Sequence, residues 1–248
     1  MRSIGVIPAR FASTRLRGKP LRLIDNKPML QHVWERASQC SNLDELIVAT
    51  DDARIYDKVT EFGGKVVLTS SELKSGSDRA AEVVKGMDAD VVINIQGDEP
   101  FIEPVLIDNL VKMFNDSDTV MATAVRLSDE NDDISDPNIV KVTRDENWDA
   151  ISFTRKIIAA ETESSIPEYL IQIGFYGYTA DFLMKFKKLE PTPLELTERL
   201  EQMRAIEHGF KIKLLQTTYH SLSVDTEEDL IRANDFAKNL NRKELEIF

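Results

Sequence analysis

The densest cluster of chemically active side chains lies near the start of the chain, in the ten residues R-F-A-S-T-R-L-R-G-K from Arg10 to Lys19. The segment holds four cations, two hydroxyl side chains and a glycine, Gly18, that allows a ligand to approach the backbone closely. Arginine forks and a lysine ammonium suit phosphate oxygens. The glycine spacing is not that of a P-loop. A solvated basic turn is the alternative. A cluster of four cations in a chain whose net charge is −12 favours a phosphate site instead.

Two acidic residues that are far apart in the sequence are candidates for binding a metal ion. Asp98 follows an apolar run in N-I-Q-G-D-E-P, and Mg²⁺ typically takes one or two carboxylates together with phosphate oxygens. Asp225 stands in V-D-T-E-E-D, just before Thr226, a predicted helix N-cap. The helix dipole alone explains the acidic residues after Thr226. A turn aspartate before a proline is the alternative for Asp98, and the spacing leaves open whether Asp225 faces the same site.

A third candidate is the segment S-G-S-D-R, from Ser75 to Arg79. A glycine turn followed by a helix start and an arginine can hold an anion, because the first amide groups of a helix point toward it. A helix with an ordinary serine cap has the same composition. Both interpretations stay open from the sequence.

These side chains need elements that bring them together, and the apolar pattern predicts an α/β fold with a mostly parallel sheet. The predicted strands of the first half lie at 4–7, 46–49, 66–68 and 91–95, and the helices at 29–37, 53–62 and 78–85. Ligands in such sheets bind beyond the carboxyl ends of strands, which is where both polar loops begin. An antiparallel extension is predicted from strands at 121–125, 140–142, 150–153 and 171–178, and further helices at 194–207 and 227–239.

Charge and composition exclude several other classes of protein. A net charge of −12 argues against general nucleic-acid binding, which needs a broad basic face. The short apolar start ends at Pro8, too soon for a signal peptide or a membrane span, so a cytoplasmic location is expected. The single cysteine, Cys40, cannot form an internal disulfide and is predicted to pack.

Eight ordered motifs, spread over most of the chain, resemble those of the 3-deoxy-manno-octulosonate cytidylyltransferases. The motifs are IPARFASTRLRGKPL, DNKPMLQHVWERA, ATDD, FGGKVVLTS, SGSDR, NIQGDEPFI, LEQMRAIEHG and VDTEEDL. The resemblance implies a Rossmann-like nucleotidyltransferase fold of the nucleotide-diphospho-sugar transferase type. It further implies a single domain over 1–248, a segment at about 150–190 that serves dimerisation and the sugar acid, and a homodimer.

The resemblance also implies a reaction, in which CTP and a 3-deoxy sugar acid give a CMP-sugar and pyrophosphate for lipopolysaccharide or capsule. Arg10, Ser13 and Lys19 would hold the triphosphate, and Ser75 and Gly76 would contact the nucleotide. Lys19, Asp98 and Asp225 would be catalytic, with the two aspartates binding Mg²⁺. The residues that would line the sugar-acid site are Arg79, Gln96, Arg155, Gln172, Tyr176 and Glu201.

The chain departs from the family pattern mainly on the acceptor side. Arg17 and Ser77 are mild changes, whereas 154–159 and Gln172 differ more, with Gln172 standing where the family has a histidine. A neutral amide in place of a titratable imidazole would alter recognition of the sugar's tail. The hypothesis that follows is a preference for an 8-amino-3,8-dideoxy sugar, which carries an ammonium group in place of the terminal hydroxyl. A sialic-acid-type cytidylyltransferase and a non-catalytic nucleotide-binding paralogue are further alternatives. The aromatic segment 169–178 could instead serve an interface.

Overall fold

The computed structural model describes residues 1–13, 15–157 and 169–245. The strands are β1 (Ser3–Ala9), β2 (Leu23–Ile24), β3 (Lys27–Pro28), β4 (Glu45–Thr50), β5 (Val66–Leu68), β6 (Val91–Asn94), β7 (Met121–Leu127), β8 (Lys141–Arg144), β9 (Ala150–Thr154), β10 (Leu170–Thr179) and β11 (Lys213–Gln216). The α-helices are α1 (Met29–Ala37), α2 (Ala53–Glu61), α3 (Gly76–Val84), α4 (Pro104–Lys112), α5 (Ala180–Phe186), α6 (Pro193–Glu198), α7 (Gln202–Glu207) and α8 (Glu227–Leu245). Short 3-10 turns cover Lys19–Leu21 and Met113–Asn115.

One mixed sheet organises the described part of the chain, with strand order β11-β7-β10-β6-β1-β4-β5. Strands β6, β1, β4 and β5 are parallel, β11 is parallel to β7, and β10 runs antiparallel to both β6 and β7. Strands β8 and β9 form an antiparallel arm beside β10, and β2 and β3 form a separate small hairpin. The predicted α/β fold with an antiparallel extension is therefore confirmed.

The parallel strands are apolar because helices cover both of their faces. In β1 six of the seven residues are buried, and all four residues of β6 are buried, as expected for strands without a solvent face. Helix α1 buries Met29, Leu30, Val33 and Ala37, which recur at helical spacing. Helix α3 begins with a capping box in which Ser75 and Asp78 bond each other's backbone amides.

The carboxyl ends of β1 and β6 open at the same edge of the sheet, since the two strands are neighbours and parallel. The loop after β6 passes very close to β1: a Cβ atom added at Gly97 would lie 3.0 Å from the carbonyl oxygen of Pro8. The loop after β1 turns at Gly18, whose φ of 66° is a left-handed conformation that glycine adopts without strain. Both loops therefore converge where ligands of α/β proteins bind.

The single helix predicted at 194–207 is wrong, because the structure splits it into α6 and α7. Arg199 takes a left-handed conformation, with φ 55° and ψ 44°, and ends α6. Buried Leu200 follows, and a salt bridge between Glu195 and Arg204 ties the two short helices together. The break places Glu201 at the start of α7, on the wall of a cavity.

The described residues of the segment 150–190 belong to three different elements. Strand β9 belongs to the arm, whereas β10 lies in the middle of the main sheet and α5 follows it. Residues 158–168 of this segment lie outside the described residues, and the proposed role of the segment in dimerisation stays a prediction. Helices α4 and α5 and strand β11 are elements that the sequence pattern did not indicate. No helix in the described part of the chain is long and apolar enough to cross a membrane.

Candidate active site

Lys19, Asp98 and Asp225 meet at the edge of the sheet, although more than two hundred residues separate the first from the last. The Lys19 ammonium donates to Asp98 Oδ2 and to Asp225 Oδ1, each at 2.6 Å. A backbone hydrogen bond of 3.0 Å from the Val224 amide to the Asp98 carbonyl joins the two aspartate loops. The spatial convergence that the motifs implied is thus present in the structure.

The two carboxylates dominate the electrostatics around Lys19. Burial lowers the pKa of the Lys19 ammonium, but the charges of Asp98 and Asp225 and their hydrogen bonds more than offset it, and the pKa is raised. Arg15 adds a second cation, with its guanidinium 3.0 Å from Asp225 Oδ1. Two carboxylate oxygens therefore already point at one position occupied by a cation.

A cavity of about 360 Å³ lies between the loop after β1 and the loop after β6. Arg10, Ser13 and Lys19 line it, together with Asp98 and Asp225. One guanidinium nitrogen of Arg10, Nη2, is buried without a hydrogen-bond partner among the described residues. Burial lowers the pKa of this guanidinium, and the nearby Arg79 lowers it further. A guanidinium that lines a cavity and has one nitrogen without a partner is suited to an anion such as a phosphate.

A larger cavity of about 700 Å³ adjoins the first. Four residues line both cavities: Arg15, Gln96, Asp98 and Asp225. Five of the six residues predicted for the sugar-acid site line the larger one: Gln96, Arg155, Gln172, Tyr176 and Glu201. Two substrates in these cavities would thus meet beside the aspartates.

Arg79 is the exception, and its predicted place in the sugar-acid site is corrected by the structure. Its side chain is fully buried in α3, pairs with Asp51 at 2.8 Å and donates to the Thr69 hydroxyl. It lines neither of the two cavities. A sequence shows that an arginine follows a helix start, but it does not show that the arginine points into the interior.

We expect Arg79→Met to destabilise the protein by about 3 kcal/mol, because it leaves the Asp51 carboxylate without the cation that compensates its charge in the interior. Urea unfolding measures this change. Lys85→Met, at an exposed position just after the same helix, should change stability by less than about 0.5 kcal/mol. Normal stability together with a raised KM for the sugar acid would instead restore Arg79 to the binding site.

Ser75 and Gly76 lie at the start of α3, outside the walls of both cavities. The Ser75 hydroxyl accepts the Asp78 amide as the helix cap, at 3.0 Å. A Cβ atom at Gly76 would lie 3.3 Å from the Asn94 side chain and 3.4 Å from Pro8, so glycine lets α3 pack closely on β1 and β6. The capping interpretation accounts for these contacts, and contact with a nucleotide stays a prediction.

Glu99 is a site residue that the sequence did not single out. The residue is 4% exposed and lines the larger cavity, and its carboxyl group accepts a hydrogen bond from the Ser221 hydroxyl at 2.5 Å. Burial, followed by the charge of Asp98, raises the pKa of Glu99 to about 8. The adjacent Asp98 drew attention in the sequence as a candidate metal ligand, but only the structure shows that its neighbour turns inward.

This raised pKa predicts that the metal-free protein loses stability as the pH rises from about 4.5 to about 8. Between the ordinary pKa of 4.5 and about 8, folded Glu99 holds a proton that the unfolded chain has lost. The free energy of unfolding should therefore fall by up to about 1.4 kcal/mol per pH unit as pH rises through this window. Urea unfolding near pH 6 and near pH 7.5 should show this fall in the wild type and not in Glu99→Gln. Parallel pH dependences of the two proteins would contradict it.

The donor set around Lys19 fits a magnesium ion. Among the described residues no group of three or more His, Cys, Asp or Glu could hold a metal ion. Asp98 and Asp225 supply two converging carboxylates, and Mg²⁺ commonly binds one or two carboxylates while substrate phosphates and waters complete its shell. A metal bound here would depend on a phosphate ligand, which the neighbouring cationic cavity is suited to hold.

Comparisons with known proteins agree with this arrangement. A family model described as Cytidylyltransferase matches residues 4–212. A 3-deoxy-manno-octulosonate cytidylyltransferase of Fusobacterium nucleatum is 45% identical over 245 residues, which are 98% of this chain and 100% of that protein. A protein of the same name from Solibacter usitatus is 45% identical over 237 residues, 95% of this chain and 94% of its own.

Solved structures show the same similarity in three dimensions. A CMP:2-keto-3-deoxy-manno-octonic acid synthetase complexed with CTP aligns with a TM-score of 0.91 and 36% identity, covering 96% of this chain and 99% of that one. A 4-diphosphocytidyl-2C-methyl-D-erythritol synthase from Anaerococcus prevotii aligns with a TM-score of 0.62 and 15% identity, covering 96% of each chain. The second likeness concerns the fold alone.

Proposed function

Because the chain belongs to the cytidylyltransferase family, and within it to the 3-deoxy-manno-octulosonate cytidylyltransferases, we propose that it transfers CMP from CTP to 3-deoxy-manno-octulosonate and releases pyrophosphate. The family expected from the ordered motifs is thereby confirmed. The observation that carries the proposed activity is the convergence of Lys19, Asp98 and Asp225 at the junction of two cavities.

The smaller cavity is proposed to hold the triphosphate of CTP. The unpartnered Arg10 guanidinium and the Lys19 ammonium would offset the phosphate charge, and Ser13 would donate a hydrogen bond. A structural relative at a TM-score of 0.91 was solved with CTP bound, which supports a nucleotide site in this fold. The larger cavity then remains for the sugar acid.

The reaction would join the two substrates where the cavities meet. The anomeric hydroxyl group of the sugar loses its proton to solvent and its oxygen forms a bond to the α-phosphorus, while the bond from that phosphorus to the bridging oxygen of pyrophosphate breaks. Both substrates are anions, so the cations at the junction lower their repulsion and hold them in line. No covalent intermediate on a protein side chain is needed.

We propose that Asp98 and Asp225 hold Mg²⁺ when the triphosphate is bound. The ion would supply positive charge to the phosphate oxygens and stabilise the charge that develops on them. Lys19 would then move from its two carboxylate partners toward the phosphates. Its four-carbon stem can turn without disturbing the backbone of the loop.

The identity of the sugar rests on the relatives. Those from Fusobacterium nucleatum and Solibacter usitatus are named for 3-deoxy-manno-octulosonate, and they support this sugar rather than its 8-amino analogue or a sialic acid. The presence of Arg10, Lys19, Asp98 and Asp225 supports an enzyme rather than a non-catalytic paralogue. Residues 158 and 159 of the divergent segment 154–159 lie outside the described residues, so their part in sugar choice stays a prediction.

Pyrophosphate release tests the proposed activity. With CTP and Mg²⁺, the protein should release pyrophosphate with 3-deoxy-manno-octulosonate and markedly less with its 8-amino analogue or a sialic acid. GTP in place of CTP is the matched nucleotide control. No release with any of the three sugars would contradict the proposal, and a preference for the amino sugar would revive the hypothesis drawn from Gln172.

A cytoplasmic homodimer that supplies lipopolysaccharide or capsule synthesis remains part of the proposal. An interface at the arm strand β9 would cover the exposed apolar side chain of Ile151. Light scattering should give twice the chain mass of 28.1 kDa. A monomeric mass would contradict the dimer without affecting the proposed chemistry, because both cavities are lined within one chain.

A further inference from the structure

A chain of hydrogen bonds runs along the wall of the larger cavity, from the backbone of β10 to the hydroxyl group of Tyr176. The pairing register of β10 with β7 shifts between Ile173 and Tyr176. At this irregularity the buried Thr123 hydroxyl lies 2.7 Å from the Phe175 carbonyl and 3.3 Å from the Ile173 carbonyl. A carbonyl oxygen can only accept a hydrogen bond, so the single hydroxyl proton of Thr123 is donated to these two carbonyl groups.

The next member of the chain is the Gln172 side chain. Its amide nitrogen lies 3.3 Å from the Thr123 oxygen and 2.7 Å from the Tyr176 oxygen. Because the Thr123 proton is donated to the carbonyl groups, the Thr123 oxygen can only accept from Gln172. The Gln172 side chain must therefore direct its NH2 group, and not its carbonyl oxygen, toward Thr123 and Tyr176. The opposite end is held as well: the buried Gln202 amide donates to Gln172 Oε1 at 2.9 Å.

This arrangement fixes the direction of the last bond. Both protons of the Gln172 NH2 group are used, one on Thr123 and one on Tyr176. The Tyr176 oxygen therefore accepts, and its own proton is left to donate elsewhere. In the described part of the chain no acceptor for that proton is found within hydrogen-bond distance, and Tyr176 lines the larger cavity.

We propose that Thr123 and Gln202 are positioning residues that fix the direction of the Gln172 amide and so make the Tyr176 hydroxyl a hydrogen-bond donor to an oxygen of the bound sugar acid. The inference rests on the proposed function of the larger cavity. A donating Tyr176 hydroxyl favours a sugar with a hydrogen-bond acceptor, such as a carboxylate or hydroxyl oxygen, at the position opposite Tyr176. An ammonium group there would meet the tyrosine proton with no lone pair to accept it.

A double-mutant cycle on the sugar acid tests the inference, because it separates action through Tyr176 from a general role in packing. Tyr176→Phe should raise the KM for 3-deoxy-manno-octulosonate about tenfold, the cost of one hydrogen bond of about 1.4 kcal/mol. Thr123→Val, which keeps the shape and removes the hydroxyl, should raise the same KM to a similar extent. Their combination should raise it no further than Tyr176→Phe alone. The KM for CTP should stay within about twofold in all three.

Controls and outcomes are matched to each step. Thr123→Ser keeps the hydroxyl and should keep the wild-type KM. Gln202→Met, which removes the NH2 donor to the Gln172 oxygen and adds no charge to the cavity wall, should raise it. If Thr123→Val does not fold, Gln202→Met takes its place in the cycle. Multiplying effects, or an unchanged KM in Tyr176→Phe, overturn the inference and leave the proposed function standing. Absence of pyrophosphate release in the wild type overturns both.

Discussion

Asp98→Asn is expected to lower kcat for pyrophosphate release roughly 10³-fold while the folded state keeps its stability. The asparagine keeps the shape of the side chain but removes one of the two negative charges that face Lys19 at 2.6 Å. A neutral amide is a much weaker ligand for Mg²⁺ than a carboxylate. The variant should therefore also need a higher Mg²⁺ concentration for half-maximal rate.

The measurements are a pyrophosphate-release assay at several Mg²⁺ concentrations and a thermal unfolding curve. Glu103→Gln is the matched control, since Glu103 is an exposed acid in the same loop region. It should retain the wild-type rate. A near-normal rate in Asp98→Asn would remove this residue from the metal site.

Lys19→Met is expected to lower kcat/KM for CTP by about 10² to 10³, because a charge-assisted contact to the triphosphate is lost where water is partly excluded. A second effect should run in the opposite direction. In the free protein the Lys19 ammonium occupies the point on which Asp98 and Asp225 converge, so its removal should strengthen binding of Mg²⁺ alone.

Turnover assays and titration calorimetry with Mg²⁺ in the absence of nucleotide measure the two effects. Arg17→Met provides the comparison, since Arg17 is an exposed cation of the same loop and should alter neither quantity. Weaker Mg²⁺ binding in Lys19→Met would show that Lys19 organises the two carboxylates rather than competing for them.

The elements that could be predicted from the sequence are those whose burial requires a continuous apolar run or apolar residues at helical spacing. Strands β1 and β6 are continuous apolar runs because helices cover both faces, and the helix predicted at 29–37 matches α1. Strand β11 escaped because it has four residues, half of them polar, at the edge of the sheet. The break between α6 and α7 escaped because Arg199, and not a glycine, takes the left-handed conformation.

The candidate site was predictable to the extent that its residues stand in distinctive motifs. Lys19, Asp98 and Asp225 were singled out from loop position and charge, and the fold brings them together. Arg79 shared a motif with Ser75 but points into the interior. Side-chain direction depends on packing against distant strands, and this is why Thr123 and Gln202 carried no local signal.

The position of β10 has a consequence for anyone who wishes to change the sugar that this enzyme accepts. Gln172 and Tyr176 stand on a strand hydrogen-bonded on both sides, and Tyr176 is in register with Asn94 of β6, the strand that leads to Asp98. Transplanting surface loops from a relative would leave these determinants untouched. Redesign has to proceed by exchanging individual side chains on a rigid frame, and any shift of that frame would also displace the aspartate at the centre of the chemistry.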